Sequence, residues 1–196
     1  MSELKNTKYS NSVIPIAYHV DYWNYIGWID PFSQKKFTVK QRNYGHKFKN
    51  NSVYTPQLII NGNEYIVGSD EKTLLKRVKK ILNTTAFNTI HLDNVVKKNQ
   101  IISFSYDVNG PLVATELIIL LAIDKRITKV ERGENRNRTL INSNIVVQEN
   151  IISLTKKEGK AGIKIPDIVL KDDVLQLIVL MRDENLSILT GAQLKL

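Results

Sequence analysis

The sequence predicts an α/β unit followed by an all-β unit, and three observations carry that prediction. Apolar residues in the first 83 positions switch between the pattern of a buried strand and that of an amphipathic helix. From residue 89 onward the helical period fades, and short runs rich in β-branched residues take over, separated by turn signals. A chain of 196 residues, 42% apolar and 24% charged, is large enough for one big core or two small ones.

Taken in order, residues 1–12 are polar, rich in Ser, Asn and Lys, and are expected to be disordered. Residues 13–20 are a short apolar run broken by His19 that reads as a buried strand, with Pro15 suited to an edge. An aromatic loop follows, holding Tyr22, Trp23, Tyr25 and Trp28. Asp30-Pro31 signals a helix start, since Asp caps and proline at the first helical position gives up no needed N–H. Phe37, Tyr44 and Phe48 share one face of that helix, which Gly45 is expected to weaken or divide.

Residues 53–60 read as a second strand, Asn61-Gly62 as a tight turn, and residues 64–67 as the returning strand of a hairpin. Ser69 is the expected cap of a helix whose apolar stripe is Leu74, Leu75, Val78, Ile81 and Leu82, with Lys79 and Lys80 in the last turn. Residues 13–83 thus run β-α-β-β-α, the order of an incomplete thioredoxin-like domain. Residues 84–88 are the linker. Residues 89–196 read as a β-sandwich-like domain, with strands expected at 101–108, 113–123, 140–147, 151–155, 174–181 and 186–189. Asn109-Gly110-Pro111, Lys157-Glu158-Gly159 and Asp183-Glu184-Asn185 are the turns between several of them.

Composition removes whole classes of function. There is no cysteine, so this chain alone forms no disulfide, holds no thiolate-bound metal and runs no thiol redox chemistry. Three histidines without cysteine make a structural zinc site unexpected, and no cofactor is expected. The net charge of +9 invites a polyanion partner. The lysines, however, are scattered among many asparagines and isoleucines, and no nucleic-acid motif accompanies them. The partner is left unassigned, with a protein or peptide as the named candidate, and nucleic acid is not expected. No apolar run approaches the length of a membrane helix and no signal peptide is visible, so the chain as written is expected to stay in the cytoplasm.

Several motifs together resemble the bacterial family called domain of unknown function 1223. They are His19-Val-Asp-Tyr-Trp23, Gly27-Trp28, Asp30-Pro31-Phe32, Gln41-Arg42, Val53-Tyr54-Thr55-Pro56-Gln57 and Val67-Gly68-Ser69-Asp70. Farther on come Glu131-Arg132-Gly133-Glu134-Asn135, Arg138-Thr139-Leu140, Asn144 and Gly191-Ala192-Gln193-Leu194. The resemblance implies a thioredoxin-like domain followed by a β-rich domain, in proteins usually secreted or periplasmic. It also implies a first strand and a Cys-x-x-Cys at a helix start, where a thiol is a good nucleophile. Here the match begins at what would be the second strand, which reads as N-terminal truncation. Where an aromatic and a histidine are expected before Asn144, this chain has Asn142 and Ser143.

The candidate binding residues are Tyr22, Trp23, Trp28, Thr55 and Pro56; no catalytic residue and no metal ligand is assigned. Thr55-Pro56 resembles the cis-proline that presents an extended substrate in thioredoxin-like folds; a trans proline beginning a strand is the plain alternative. The aromatics sit past a strand end, where ligand sites of open α/β sheets lie, although a packing plug between the two units is the plainer reading. His19 and Asp21 project to one face of the expected strand, and an internally hydrogen-bonded histidine is expected rather than a metal pair. The charged stretch around Gly133 reads equally as a binding loop, an interface or a solvated turn.

The resulting expectation is a thioredoxin-like protein without its redox dithiol, non-catalytic as it stands. One alternative is a thiol-disulfide oxidoreductase whose Cys-x-x-Cys lies upstream of Met1. A basic binding module is the other.

Overall fold

The computed structural model describes residues 12–50, 52–112, 115–130, 132–133 and 136–196. The expected disorder of residues 1–12 therefore falls, except for Ser12, outside the described residues, as do Glu131, Glu134 and Asn135. Among the described residues strands dominate the regular structure, arranged in three sheets with two α-helices.

The centre of the molecule is the strand β5 (Thr115–Lys129). Every residue from Leu117 to Ile123 is buried, because both faces of its sheet are covered. β5 lies between β6 (Thr139–Ser153) and β8 (Leu175–Asp183), and β9 (Ile188–Lys195) completes the antiparallel order β6-β5-β8-β9. Leu117, Ile119, Leu121 and Ile123 point to one side, toward a second antiparallel sheet of β3 (Thr89–Lys98), β4 (Ile101–Asn109) and β7 (Glu158–Lys164). Ile102, Phe104, Val108 and Ile163 supply the facing layer of that core. Ile118, Leu120 and Ala122 point the other way, as the alternation of a strand requires.

That second face is covered by the N-terminal part of the chain. Helix α1 (Lys35–Lys47) buries Phe37 there, and Ile14, Ile16 and Tyr18 pack beside it. Beyond α1, β1 (Gln57–Ile60) and β2 (Glu64–Val67) form a hairpin, followed by helix α2 (Glu71–Leu82). Three residues, Asn61 to Asn63, join the strands; Asn61 and Gly62 both have positive φ, and Asn63 N donates to Ile60 O at 3.0 Å. This turn seats on the β8–β9 turn: Ile188 N donates to Asn61 O at 2.8 Å, and Ser187 Oγ to Asn63 Oδ1 at 2.7 Å. Among the described residues no helix is long and apolar enough to cross a membrane.

Several expectations are corrected. Residues 13–20 are not a strand: only Ala17 pairs, in a parallel bridge to Ile145 on the edge of β6. Pro15 has no N–H to donate, and β6 departs from regular geometry there through Asn144 (φ 55°) and a bulge opposite Leu121 and Ala122. Asp30-Pro31 makes a turn, because Asp30 Oδ1 accepts from Phe32 N; α1 begins at Lys35 after Gln34. The helix runs through Gly45 without a break. The second strand begins at Gln57, since Pro56 has no N–H and the Tyr54 carbonyl accepts from the Gln41 side chain. Asp70, not Ser69, caps α2, accepting from Thr73 N at 3.0 Å.

In the β-rich part, residues 151–153 continue β6 instead of forming a strand of their own. β3 and β7 were not expected, and Lys157-Glu158-Gly159 leads directly into β7. The last strand starts at Ile188, because Leu186 takes a positive φ in the turn.

Candidate functional site

Residues 19–34 fold back on themselves through side-chain bonds to the backbone and to one another. His19 Nδ1 lies 2.6 Å from Asp30 Oδ2, Asn24 Nδ2 donates to Ser33 Oγ at 2.9 Å, and Asp21 N donates to Thr38 Oγ1 at 3.1 Å. Thr38 Oγ1 in turn donates to the Asp21 carboxylate. His19 and Asp21 therefore serve separate partners, and the histidine is internally bonded as its sequence context suggests. Among the described residues no three His, Asp or Glu side chains could hold a metal.

This framework presents the aromatic loop. Trp23 Nε1 donates to Thr55 Oγ1 at 2.9 Å, joining the loop to the Thr55-Pro56 segment, whose peptide bond is cis. Tyr22 and Trp23 have ring centroids 5.4 Å apart, and Trp23 stacks on Tyr25 at 6.5 Å with 24° between planes. Trp23 is 44% and Tyr25 79% exposed, so the stack faces solvent instead of plugging a domain interface. Exposed stacked aromatics present flat apolar area with little rotamer freedom to lose on binding.

Beneath the stack, Gln41 of α1 donates to Tyr54 O at 2.9 Å and Gln57 Oε1 at 3.0 Å, tying the helix to both sides of Pro56. From the other side Gly68 N donates to Pro56 O at 2.7 Å. The Tyr22 hydroxyl and Gln41 Oε1 are both enclosed, and the hydroxyl lies close to the Gln41 and Thr55 side chains without well-aligned hydrogen-bond geometry. Burial raises the Tyr22 phenol, with Gln41, Thr55 and Arg42 pulling it back, so it is a protonated donor at neutral pH.

Four of the five candidate residues thus meet: Tyr22, Trp23, Thr55 and Pro56. Trp28 shares no ring contact or hydrogen bond with them among the described residues. It follows Gly27, where the chain crosses the β5–β6 turn so closely that a Cβ on Gly133 would meet Ile26 O at 2.9 Å and Trp28 N at 3.1 Å. Both glycines have positive φ, 94° and 75°. Of the three readings of the charged stretch, this crossing favours an internal interface.

A buried polar network between α1 and the central sheet was not legible as a unit. Tyr18 OH donates to Glu149 Oε2 at 2.9 Å and Lys40 Nζ lies 2.8 Å from the same oxygen. Burial, reinforced by Glu149, holds the Tyr18 phenol well above its ordinary range, and burial lowers Lys36 and raises Tyr44. The available signal was Lys36, Lys40 and Tyr44 at helical spacing, with Glu149 the one charged residue of β6.

Comparison with known proteins follows from this geometry. The family model described as "Protein of unknown function (DUF1223)" matches residues 1–182. The crystal structure of protein AGR_C_4864 from Agrobacterium tumefaciens superposes with a TM-score of 0.69 at 18% identity, over 98% of this chain and 85% of that one. That likeness concerns the fold. A DUF3823 family protein from Bacteroides ovatus aligns at 18% identity over 56% of this chain and 53% of that one, with a TM-score of 0.34. None of the curated proteins compared with the chain matches it.

Proposed function

The chain belongs to the DUF1223 family, and on that premise we propose that it is a thioredoxin-like binding module that captures extended polypeptide and performs no thiol chemistry of its own. The observation that carries this reading is the bond from Trp23 Nε1 to Thr55 Oγ1, which fixes an exposed aromatic stack beside the Thr55-Pro56 segment. The order of an extended segment, α1, the β1–β2 hairpin and α2 supports the thioredoxin-like assignment. Among the described residues β1 pairs only with β2, so its other edge has no strand partner, the arrangement that strand addition uses. An extended peptide there would exchange backbone hydrogen bonds with β1 and lay its side chains on Trp23 and Tyr25. Without cysteine, the chain has no sulfur to form a mixed disulfide with its ligand.

The test is titration of the protein with a permanently unfolded polypeptide, such as a reduced and carboxymethylated protein, followed by tryptophan fluorescence. Saturable binding is expected. W23A should weaken it about tenfold or more, the usual effect of losing a tryptophan anchor, while Trp28 remains as reporter. Absence of saturable binding, or equal affinity in W23A, refutes the proposal.

A further inference from the structure

Most lysines of this chain are scattered, but four fall within nine residues of one another on α2. Lys72, Lys76, Lys79 and Lys80 are all exposed and lie along one side of the helix. Among the described residues none of the four forms a salt bridge; the ion pair of this helix, Arg77 to Glu64 at 3.1 Å, is on its flank. Lys72 feels Asp70, whose own side chain is committed to capping the helix.

This arrangement works against the helix. Lys72, Lys76 and Lys80 repeat at four-residue spacing, so like charges stand next to one another. Lys72 also sits in the first turn, where the helix dipole disfavours a cation. Lys79 and Lys80 suit the last turn, but Lys72 and Lys76 gain nothing there from the dipole, whereas an anionic surface turns each repulsion in the row into attraction. Exposed apolar groups follow the row along the chain: Leu82 at the end of the helix is 36% exposed, and Phe87, five residues later, is 89% exposed.

We propose that the α2 face of Lys72, Lys76, Lys79 and Lys80, together with Leu82 and Phe87, docks on an anionic lipid surface. The choice of lipid over nucleic acid rests on the side chains. Lysine is a point charge suited to a diffuse layer of headgroups, while the forked donors of arginine suit individual phosphates. Leu82 and Phe87 fit the boundary between headgroups and acyl chains, as in helices that lie on membranes. The chain's net charge of +9 adds long-range attraction. This inference is independent of the peptide reading, which concerns other residues.

The experiment is co-sedimentation of the full chain with phosphatidylcholine vesicles, with and without about a third phosphatidylserine. Binding is expected on the anionic vesicles only, and should be lost at high salt. At about fivefold per lysine, K76E/K79E/K80E should lower partitioning about 100-fold, and F87A about tenfold. K97E/K98E/K160E makes the same change in net charge on the β3-β4-β7 sheet and should bind far better than the α2 variant. Circular dichroism and melting temperature check that all variants are folded. Failure to bind anionic vesicles, equal loss in the two triple variants, or stronger binding to single-stranded nucleic acid than to vesicles overturns the proposal.

Discussion

Truncating Phe37 tests whether the N-terminal part and the central sheet fold as one unit. The side chain is 1% exposed, packs edge-on against Tyr18 at 4.9 Å between centroids, and inserts among Ile118, Leu120, Val146 and Ile178. Removing about 150 Å² of buried apolar area at about 25 cal/mol per Å² gives about 4 kcal/mol, within the range measured for Phe→Ala in cores. With a urea m-value of about 3 kcal/mol per M, the midpoint of F37A should fall by about 1.3 M. The assay exploits the position of the two tryptophans, Trp23 and Trp28, both N-terminal to α1. Fluorescence therefore reports the N-terminal part, while far-UV circular dichroism is dominated by the sheets. One cooperative unit requires the two transitions to coincide in the wild type and to shift together in F37A. If only the fluorescence transition moves, or the loss is below about 1 kcal/mol, the claim that Phe37 welds the parts together is wrong.

Two more predictions follow from the geometry. Burial first, and Glu149 second, raise the folded-state pKa of Tyr18, so its contribution to stability is present below the unfolded value of about 10 and lost as pH rises above it. Tyr44 acts with the same sign, while Lys36 and Lys47, lowered by burial, oppose both. Y18F should flatten the alkaline limb of stability by up to about 1.4 kcal/mol per pH unit, and parallel limbs in urea titrations would exclude the effect. G62A should cost about 2–4 kcal/mol by thermal or urea unfolding, because φ is 71° and a Cβ would lie 2.0 Å from Leu186 O; a loss under about 0.5 kcal/mol would mean that the hairpin turn is not wedged against the β8–β9 turn.

The parts legible in sequence were those whose local chemistry and tertiary setting agree. Asn61-Gly62 specifies its hairpin whatever surrounds it, and the α2 stripe at Leu74, Val78 and Ile81 has one apolar side. β3 and β7 leave little trace in the sequence because they are edge strands with one solvated face, and the run Glu158-Gly159-Lys160-Ala161-Gly162 carries little apolar signal. The polar run Gln148-Glu149-Asn150 looked like a break between two strands. It is continuous because Glu149 faces Tyr18 and Lys40, and Asn150 donates to Gly162 O at 3.2 Å. Of the candidate site, Tyr22, Trp23, Thr55 and Pro56 were readable from the motifs that carry them. Gln41, which links α1 to the Pro56 segment, appeared only as half of a dipeptide. Its role is a long-range contact that no local pattern encodes.

The double burial of β5 has a consequence for synthesis. As the nascent chain emerges, β6 follows and pairs with β5 in a hairpin, but β8, the other neighbour, ends at Asp183, some 50 residues behind Lys129. At the usual pace of translation, β5 waits several seconds with one edge unpaired. During that interval Leu117–Ile123, an uncharged apolar run of high β-propensity, is free to pair with another ribosome's product. Lower growth temperatures and chaperone co-expression should raise the yield of folded chain for that reason, and a β5 interrupted by charge would trade that hazard for the loss of both cores at once.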